Sequence, residues 1–260
     1  MKKAIMAGLL CVVGALAAAN ADELCNKARS WFFVPTAHGA DWEGGFELDA
    51  FDTHYLGDTE SRAIYLTFDE GYELGYTAQI LDVLREKDVP AAFFVTKPYI
   101  KEHPELVGRM INEGHIVGNH TVRHKSSPTL SCDELRAELR GVCDYFKEHF
   151  GTEIPRFFRP PMGEYSQRVL QVAKDEGYAT IFWSFAYVDW HRDKQPTPDY
   201  AHKKVVDGLH GGAVLLLHAV SSANANALAR IIDSARALGY EFKPLHHLTT
   251  PQFPPIFPAD

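Results

Sequence analysis

Short apolar runs alternate with amphipathic stretches over most of the chain. The runs have the length of strands, whereas the stretches between them carry apolar residues at helical spacing, and several end on Gly, a common helix stop signal. Strands that alternate with helices predict a parallel sheet, and about seven such units favour a closed or nearly closed α/β barrel over an open doubly wound sheet. The predicted strands cover residues 63–68, 91–96, 115–117, 156–158, 179–184, 213–217 and 241–245, and the predicted helices cover residues 75–88, 104–114, 131–151, 166–177, 197–209 and 222–239.

The segments that flank this alternating region have a different character. Residues 22–60 are rich in Trp, Phe, Gly, Asp and Pro without periodicity, which predicts an irregular N-terminal arm, and residues 251–260 form a proline-rich tail. Residues 1–21 are predicted to be a secretory signal peptide, because Lys2 and Lys3 precede a 15-residue apolar stretch that ends in Ala-Asn-Ala. A retained membrane anchor is the alternative, but the stretch is shorter than the roughly 20 residues that a spanning helix needs. Residues 61–250 are predicted to form the main domain, with no membrane span left after cleavage.

Composition narrows the class of function. The chain has 260 residues, of which 46% are hydrophobic and 23% are charged, which is typical of a soluble domain with one large core. Its net charge is −8 and it has no long block of Lys and Arg, so we expect no nucleic-acid partner and favour a neutral or polymeric substrate. The absence of a dinucleotide-binding glycine fingerprint and of a Walker loop argues against a nucleotide site.

Chemically reactive residues follow the ends of five predicted strands. In a barrel of parallel strands, the residues just past the C-terminal strand ends surround one mouth, where active sites lie. The sequence therefore predicts one shared site at this end of the barrel. Its members are Asp69 and Glu70 after the first run, His120 and His124 after the third, Arg159 after the fourth, Asp189 and Trp190 after the fifth, and His218 at the end of the sixth.

His120 and His124 have the spacing of a metal-binding pair. Four residues apart, they would present two imidazoles on one side of a helical turn, although two surface histidines are the alternative. A nearby carboxylate favours a hydrolytic site for zinc or a similar divalent metal, with water completing the shell. Consecutive carboxylates on an extended segment point to opposite sides, so Asp69 and Glu70 are expected to do different work, one as ligand and one as proton acceptor. Without a metal, Asp69 would be a helix cap or turn residue and Glu70 a solvated loop charge.

Four further residues complete the predicted chemistry. Arg159 lies between an aromatic pair and two prolines, a stiff setting that would aim its guanidinium at Asp69 and hold that carboxyl ionised, unless it is a surface charge. His218 is either a structural histidine or a proton donor to a leaving group, and Asp189 would hold its imidazole in the charged form. Trp190 is either a core residue or a sugar-binding wall.

Taken together, five motifs resemble those of the polysaccharide deacetylases of carbohydrate esterase family 4, the NodB-homology domain. The motifs TFDEG, HTVRH, RPPMG, VDW and LLLHA occur in this order, and the resemblance covers residues 63–248. It implies a distorted (β/α) barrel that hydrolyses the N-acetyl groups of a polysaccharide with a divalent metal, and zinc is expected. The implied roles are Asp69 as general base, His218 as general acid, Arg159 and Asp189 as their partners, His120 and His124 as metal ligands, and Trp190, Leu216, Pro160 and Tyr72 in substrate binding.

One position departs from the family pattern. Most members have Asp where Glu70 stands, and the extra methylene requires the carboxylate to fold back to the metal or to leave that position to water, so ligation by Glu70 is left open. Longer matches around TFDEGYELGYT, WSFAYVDWHRDKQPTPDY and LLLHAVSSANANALARIIDSARALGYEFKPL resemble the peptidoglycan deacetylases of spore formers that act on N-acetylmuramic acid, the step leading to muramic δ-lactam in the spore cortex. The resemblance implies an exported enzyme that acts on peptidoglycan glycan strands. A deacetylase for N-acetylglucosamine in peptidoglycan or chitin-like oligomers, and an inactive wall-binding module, are the alternatives.

Overall fold

A curled sheet of parallel strands, surrounded by helices, forms the centre of the molecule. The computed structural model describes residues 20–32, 34–36, 39–41 and 46–249, so the apolar stretch of the predicted signal peptide and the proline-rich tail lie outside the described residues. The strands are β1 (Arg29–Ser30), β2 (Val34–Thr36), β3 (Gly39–Asp41), β4 (Thr53–His54), β5 (Ala63–Glu70), β6 (Ala91–Val95), β7 (Ile116–Asn119), β8 (Phe157–Phe158), β9 (Glu164–Tyr165), β10 (Ala179–Ile181), β11 (Val214–His218) and β12 (Glu241–Phe242). The helices are α1 (Thr77–Lys87), α2 (Lys97–Glu102), α3 (Pro104–Asn112), α4 (Cys132–Phe150), α5 (Gln167–Asp175), α6 (Pro198–Asp207) and α7 (Ser222–Ala237).

The predicted α/β architecture is confirmed. Seven strands follow one another across the sheet in the order β11-β5-β6-β7-β8-β10-β4, every neighbouring pair is parallel, and β12 pairs with the start of β5. Isolated bridges join Leu56 to Ala213 and Phe185 to Leu215, next to the two edges of the sheet. The sheet therefore curls round until its edges meet, which gives the distorted barrel.

All seven predicted strands and all six predicted helices have counterparts in the structure, and the main differences are short elements. β4 lies in the arm that we predicted to be irregular, yet it forms the edge of the central sheet beside β10. Its two residues carry no apolar run, so the pattern gave no signal for it. The helix α2 was also not predicted, because six residues are too few to show a helical period.

Strand alternation divides the apolar residues between two cores. Tyr65, Phe94 and Ile181 belong to a cluster inside the barrel, whereas Leu215 and Phe68 belong to the larger cluster between the sheet and the helices. Polar residues at the strand ends follow the same alternation, so each faces either the barrel interior or the helix layer. No helix among the described residues is both long enough and apolar enough to cross a bilayer.

Candidate active site

The register of two strands brings the first pair of reactive side chains together. β11 lies beside β5 with His218 directly opposite Asp69. Residues opposite each other in a parallel pair project to the same face, about 5 Å apart across the strands. Both side chains line one cavity of 760 Å³ at the C-terminal end of the barrel.

Glu70 faces the other way. It is fully buried on the helix side of β5, it is not among the described residues that line the cavity, and neither carboxylate oxygen has a described hydrogen-bond partner. Burial raises the pKa of Glu70 well above its ordinary value, the charges of Glu73 and Asp69 add to the increase, and the nearby hydroxyls of Tyr99 and Thr77 oppose it without cancelling it. The expectation that the two carboxylates would point to opposite sides agrees with this geometry, but Glu70 is neither at the mouth nor a solvated loop charge.

Arg159 lies beneath Asp69 and is itself completely buried. Its Nη1 donates to Asp69 Oδ1 at 2.8 Å and to Thr67 Oγ1 at 2.9 Å, and its Nε donates to the Ile181 carbonyl at 3.0 Å. The guanidinium also lies 4.2 Å from the centre of the Phe94 ring. These contacts fix the guanidinium in one orientation, so it is not a surface charge.

The charges around Asp69 keep its carboxyl ionised. Burial alone would raise the pKa of Asp69, but the charge of Arg159, with smaller contributions from His120 and His218, brings the pKa below its ordinary value. The side chain is only 12% exposed. Asp69 is therefore a carboxylate with a fixed orientation that is ready to accept a proton at neutral pH.

His120 and His124 lie in a tight loop after β7, and the predicted helical turn is wrong. Thr121 and His124 have positive φ angles of 70° and 52°, a conformation that is strained for a β-branched residue such as Thr. Hydrogen bonds hold the turn: Asn119 Oδ1 accepts from the Thr121 N–H at 2.9 Å, and Thr121 Oγ1 accepts from the His124 N–H at 3.1 Å. The loop nevertheless brings the two imidazole rings to 4.8 Å between centroids.

Both imidazoles are neutral and suited to binding a metal. Burial lowers the pKa of His120 to about 4 and also lowers the pKa of His124. The Arg159 carbonyl lies 2.8 Å from His120 Nδ1, which assigns the proton to Nδ1 and leaves a lone pair on Nε2. That Nε2 lies 3.7 Å from Asp69 Oδ2, so two imidazoles and a carboxylate converge on one region of the cavity.

The donor set fits a divalent cation with water in its remaining positions. Within the described part of the chain there is no group of three or more His, Cys, Asp or Glu side chains already arranged as a metal cage. Glu70 does not add to the donor set, because it is not among the described residues that line the cavity. Catalytic zinc sites usually have three protein ligands and one open position, so two imidazoles alone would leave the remaining positions to water or to a further oxygen ligand.

A second network supports His218. Asp189, which is 1% exposed, accepts a hydrogen bond from His218 Nδ1 at 2.7 Å and another from the His218 N–H at 2.9 Å. Burial would lower the pKa of His218, but the Asp189 charge and hydrogen bond outweigh it and the pKa is raised. Asn224 Nδ2 donates to Asp189 Oδ2 at 2.6 Å, and the Tyr187 hydroxyl donates to Asn224. Asn224 was not predicted, because it lies in the first turn of α7, where an Asn in an Ala-rich helix gives no signal of its own.

The cavity wall contains three of the four predicted substrate-binding residues. Tyr72, Trp190 and Leu216 line it, with Trp190 43% exposed at the rim and its ring 5.4 Å from that of His218. The Tyr72 hydroxyl donates to the Trp190 carbonyl at 3.4 Å. Pro160 is buried and is not among the described lining residues. An exposed indole beside an ionised carboxylate and an imidazole whose protonated form is favoured by Asp189 suits hydrolysis of a sugar derivative.

Comparisons with known proteins agree with this chemistry. A family model described as polysaccharide deacetylase matches residues 56–181. The chain is 39% identical to the peptidoglycan-N-acetylmuramic acid deacetylase PdaA of Bacillus subtilis over 94% of this chain and 95% of the relative. The structure of that protein, a family 4 carbohydrate esterase, has a TM-score of 0.82 and covers 86% of this chain, with 98% of its own length matched.

Two other relatives come from the same group of enzymes. A family 4 carbohydrate esterase from Bacillus anthracis is 40% identical, with a TM-score of 0.71 over 86% of this chain and 97% of its own. A peptidoglycan-N-acetylglucosamine deacetylase of Bacillus cereus is 32% identical over 70% of this chain and 85% of its own.

Proposed function

The chain belongs to the polysaccharide deacetylase family, and we propose that it removes the N-acetyl group from N-acetylmuramic acid in peptidoglycan, the step that leads to muramic δ-lactam. The observation that carries the deacetylase chemistry is the register of β5 and β11, which sets Asp69 and His218 on one face of one cavity. The choice of sugar is supported by the near full-length similarity to a relative named for N-acetylmuramic acid.

Each charged side chain has one task in the proposed reaction. Asp69, held ionised by Arg159, takes a proton from a water molecule, and the oxygen of that water attacks the carbonyl carbon of the acetamide. The resulting tetrahedral centre collapses as the C–N bond breaks. His218, charged through Asp189, gives its proton to the departing nitrogen. The products are acetate and a free amino sugar.

The imidazoles of His120 and His124 would hold a divalent metal, with zinc expected. When bound, such a cation polarises the amide carbonyl and the attacking water. Glu70 is not needed for this site, because its carboxylate lies on the other side of β5. The Arg159 carbonyl orients the His120 ring by accepting a hydrogen bond from Nδ1, and this keeps Nε2 directed into the cavity.

Action on peptidoglycan requires export, and the N-terminal segment is suited to it. Lys2 and Lys3 followed by an apolar stretch and Ala-Asn-Ala support secretion to the outer side of the membrane, where the wall lies. The substrate would then be the glycan strand itself.

A deacetylase for N-acetylglucosamine is the second candidate. The 32% identity to a peptidoglycan-N-acetylglucosamine deacetylase favours it, and the catalytic groups would be the same. An inactive wall-binding module is less well supported, since Asp69 is paired with Arg159 and His218 is paired with Asp189, and each pairing favours the charge state that the reaction needs.

One assay separates these functions. The purified protein is incubated with peptide-stripped glycan strands and with chitin oligomers, with and without a chelator and then with zinc restored, and acetate and product masses are measured. We expect acetate from the glycan strands, a 42 Da loss per muramic residue as the acetyl group leaves (about 60 Da of acetic acid against about 18 Da of water), and inhibition by the chelator. Acetate from chitin oligomers alone would overturn the muramic assignment, and none from either substrate with zinc present would favour the binding module.

A further inference from the structure

Arg123 lies on the cavity wall and has no part in the chemistry described above. It is the only Arg or Lys among the described residues that line the cavity. Its side chain is 52% exposed, whereas Arg159 is completely buried and engaged with Asp69. A cation on this wall is notable in a chain whose net charge is −8 and whose cavity already contains the Asp69 carboxylate.

The Arg123 side chain is held in place rather than free to move. Glu138 of α4, only 2% exposed, accepts hydrogen bonds from Arg123 Nε and, at 2.8 Å, from the Arg123 backbone N–H. The loop also packs closely on α4 beside this contact: a side chain at Gly141 would come within 2.8 Å of Val122 Cγ2. Since Glu138 binds Nε, and is the only hydrogen-bond partner that the described residues give the guanidinium, both terminal amino groups are left for a ligand.

Muramic acid differs from glucosamine by a lactic acid ether on O3, which ends in a carboxyl group. The acetamide is on the neighbouring carbon, C2. The nitrogen and the lactyl carboxyl carbon can close into the six-membered δ-lactam, so the carboxylate lies within a few bonds of the reacting amide. A side chain that binds this carboxylate must therefore lie next to the residues that surround the reacting amide.

We propose that the two terminal amino groups of Arg123 bind the lactyl carboxylate and thereby select muramic acid over glucosamine. The inference rests on the proposed function and names the specificity determinant of that same site. Arg123 directly precedes His124 in the loop, so its Cα is about 3.8 Å from that of a proposed metal ligand. A guanidinium with two parallel N–H groups matches a carboxylate in bidentate geometry. Glu138 acts as a positioning residue that holds this fork at the cavity wall.

The test compares three substrates of equal length: a peptide-stripped muramic glycan fragment with its lactyl carboxylates free, the same fragment with those carboxyls methyl-esterified, and a chitin oligomer. The wild type should have kcat/KM about 10- to 100-fold higher on the acid than on the ester, the range expected for a charge-assisted hydrogen bond. Arg123→Gln should lower kcat/KM on the acid by a similar factor and leave the ester and the chitin oligomer within about twofold. Arg123→Lys should recover part of the loss, because it restores the charge without the fork.

Arg140→Gln is the matched control. Arg140 is on the same helix as Glu138 but pairs with Glu176, at 2.7 and 2.8 Å, and is not among the described residues that line the cavity. The control should retain the wild-type preference for the acid. If Arg123→Gln fails to fold, the acid-to-ester ratio of the wild type and of Arg123→Lys still decides.

The possible failures are distinguishable. A wild type that deacetylates acid and ester equally would overturn the role of Arg123 while leaving the proposed function intact. An equal loss on acid, ester and chitin oligomer in Arg123→Gln would also overturn it, since a damaged loop affects all substrates. A wild type that acts on the chitin oligomer and on neither muramic substrate would overturn the proposed function itself, and this inference with it.

Discussion

Asp69 and Glu70 are adjacent in the chain and chemically alike, yet β5 places them in opposite environments. Asp69 faces the barrel interior, where Arg159 and two histidines favour its ionised form and lower its pKa. Glu70 faces the helix layer, where burial and two negative neighbours raise its pKa, and the nearby hydroxyls of Tyr99 and Thr77 only partly oppose that increase. The contrast shows that the function of a carboxylate is set by the face of the strand and by the charges already there. A motif that pairs two acids does not by itself assign both to the active site.

The largest effect is expected at Asp69. Asp69→Asn removes the proton acceptor while keeping the size of the side chain, so kcat should fall by about 10²- to 10⁴-fold. Acetate release from glycan strands measures the loss, and circular dichroism checks the fold. Retention of near-normal activity would mean that another group takes the proton, and the interior carboxylate would lose its assigned role.

The next effect concerns the charge on His218. The raised pKa of His218 means that its acidic form is present below that pKa and is lost as pH rises through it. Asp189→Asn removes the charge that raises the pKa, so the alkaline limb of the kcat/KM profile should move to lower pH and activity at pH 8 should fall by about 10- to 100-fold. If kcat/KM falls at every pH while the alkaline limb stays where it is, Asp189 acts on the structure of the site rather than on the charge of His218.

A smaller effect on the same network is expected from Asn224→Ala. Asp189 would lose one of its three hydrogen bonds, at a cost of about 1–3 kcal/mol in the free energy of unfolding, because the donor binds a buried charge. Thermal melting measures this cost. The kcat should fall by less than in Asp189→Asn, and an equal or larger fall would contradict the order of importance that we assign.

The smallest effect on activity is expected at Glu70. Glu70→Gln imitates the protonated form, so activity should stay within about threefold of the wild type, and any change in stability should depend on pH. Because the folded pKa is above the ordinary value of 4.5, the wild type loses stability as pH rises from that value through the folded pKa, and the variant does not. At pH values below that range, the variant and the wild type should therefore have the same free energy of unfolding. At pH values above it, the variant should be more stable by about 1–3 kcal/mol, the usual cost of burying a polar group that is not fully hydrogen-bonded. A variant that is less stable at neutral pH would show that neighbouring groups stabilise the charged carboxylate, with the hydroxyls of Tyr99 and Thr77 as the candidates, and would contradict this prediction.

The sequence predicted the architecture and the position of the site because both depend on local patterns. Apolar runs give the strands, and the parallel arrangement places Asp69, His120 and His218 at one end of the barrel. The alternation of strands even predicted that Asp69 and Glu70 would separate. It did not tell which of the two faces is buried under helices and which opens into the cavity.

What the sequence missed depends on an irregular local turn and on contacts between distant segments. The positive φ of Thr121 and His124 comes from a loop whose side chains bond its own backbone, so the spacing of the histidines wrongly suggested a helix. Glu138 and Asn224 are distant in sequence from the residues that they support. The edge strand β4 forms because β10 offers it a partner, and its own residues carry no strand pattern.

The metal content of variants tests most directly whether Asp69 and Glu70 lie on opposite faces of β5, with only the inner face at the metal site. Wild type, Glu70→Gln and His120→Ala are purified, supplied with zinc, dialysed, and measured for metal per chain by elemental analysis. The geometry predicts that Glu70→Gln retains the wild-type metal content while His120→Ala loses most of it. Loss of metal from Glu70→Gln to the same extent as from His120→Ala would contradict the assignment of Glu70 to the outer face and return it to the active site.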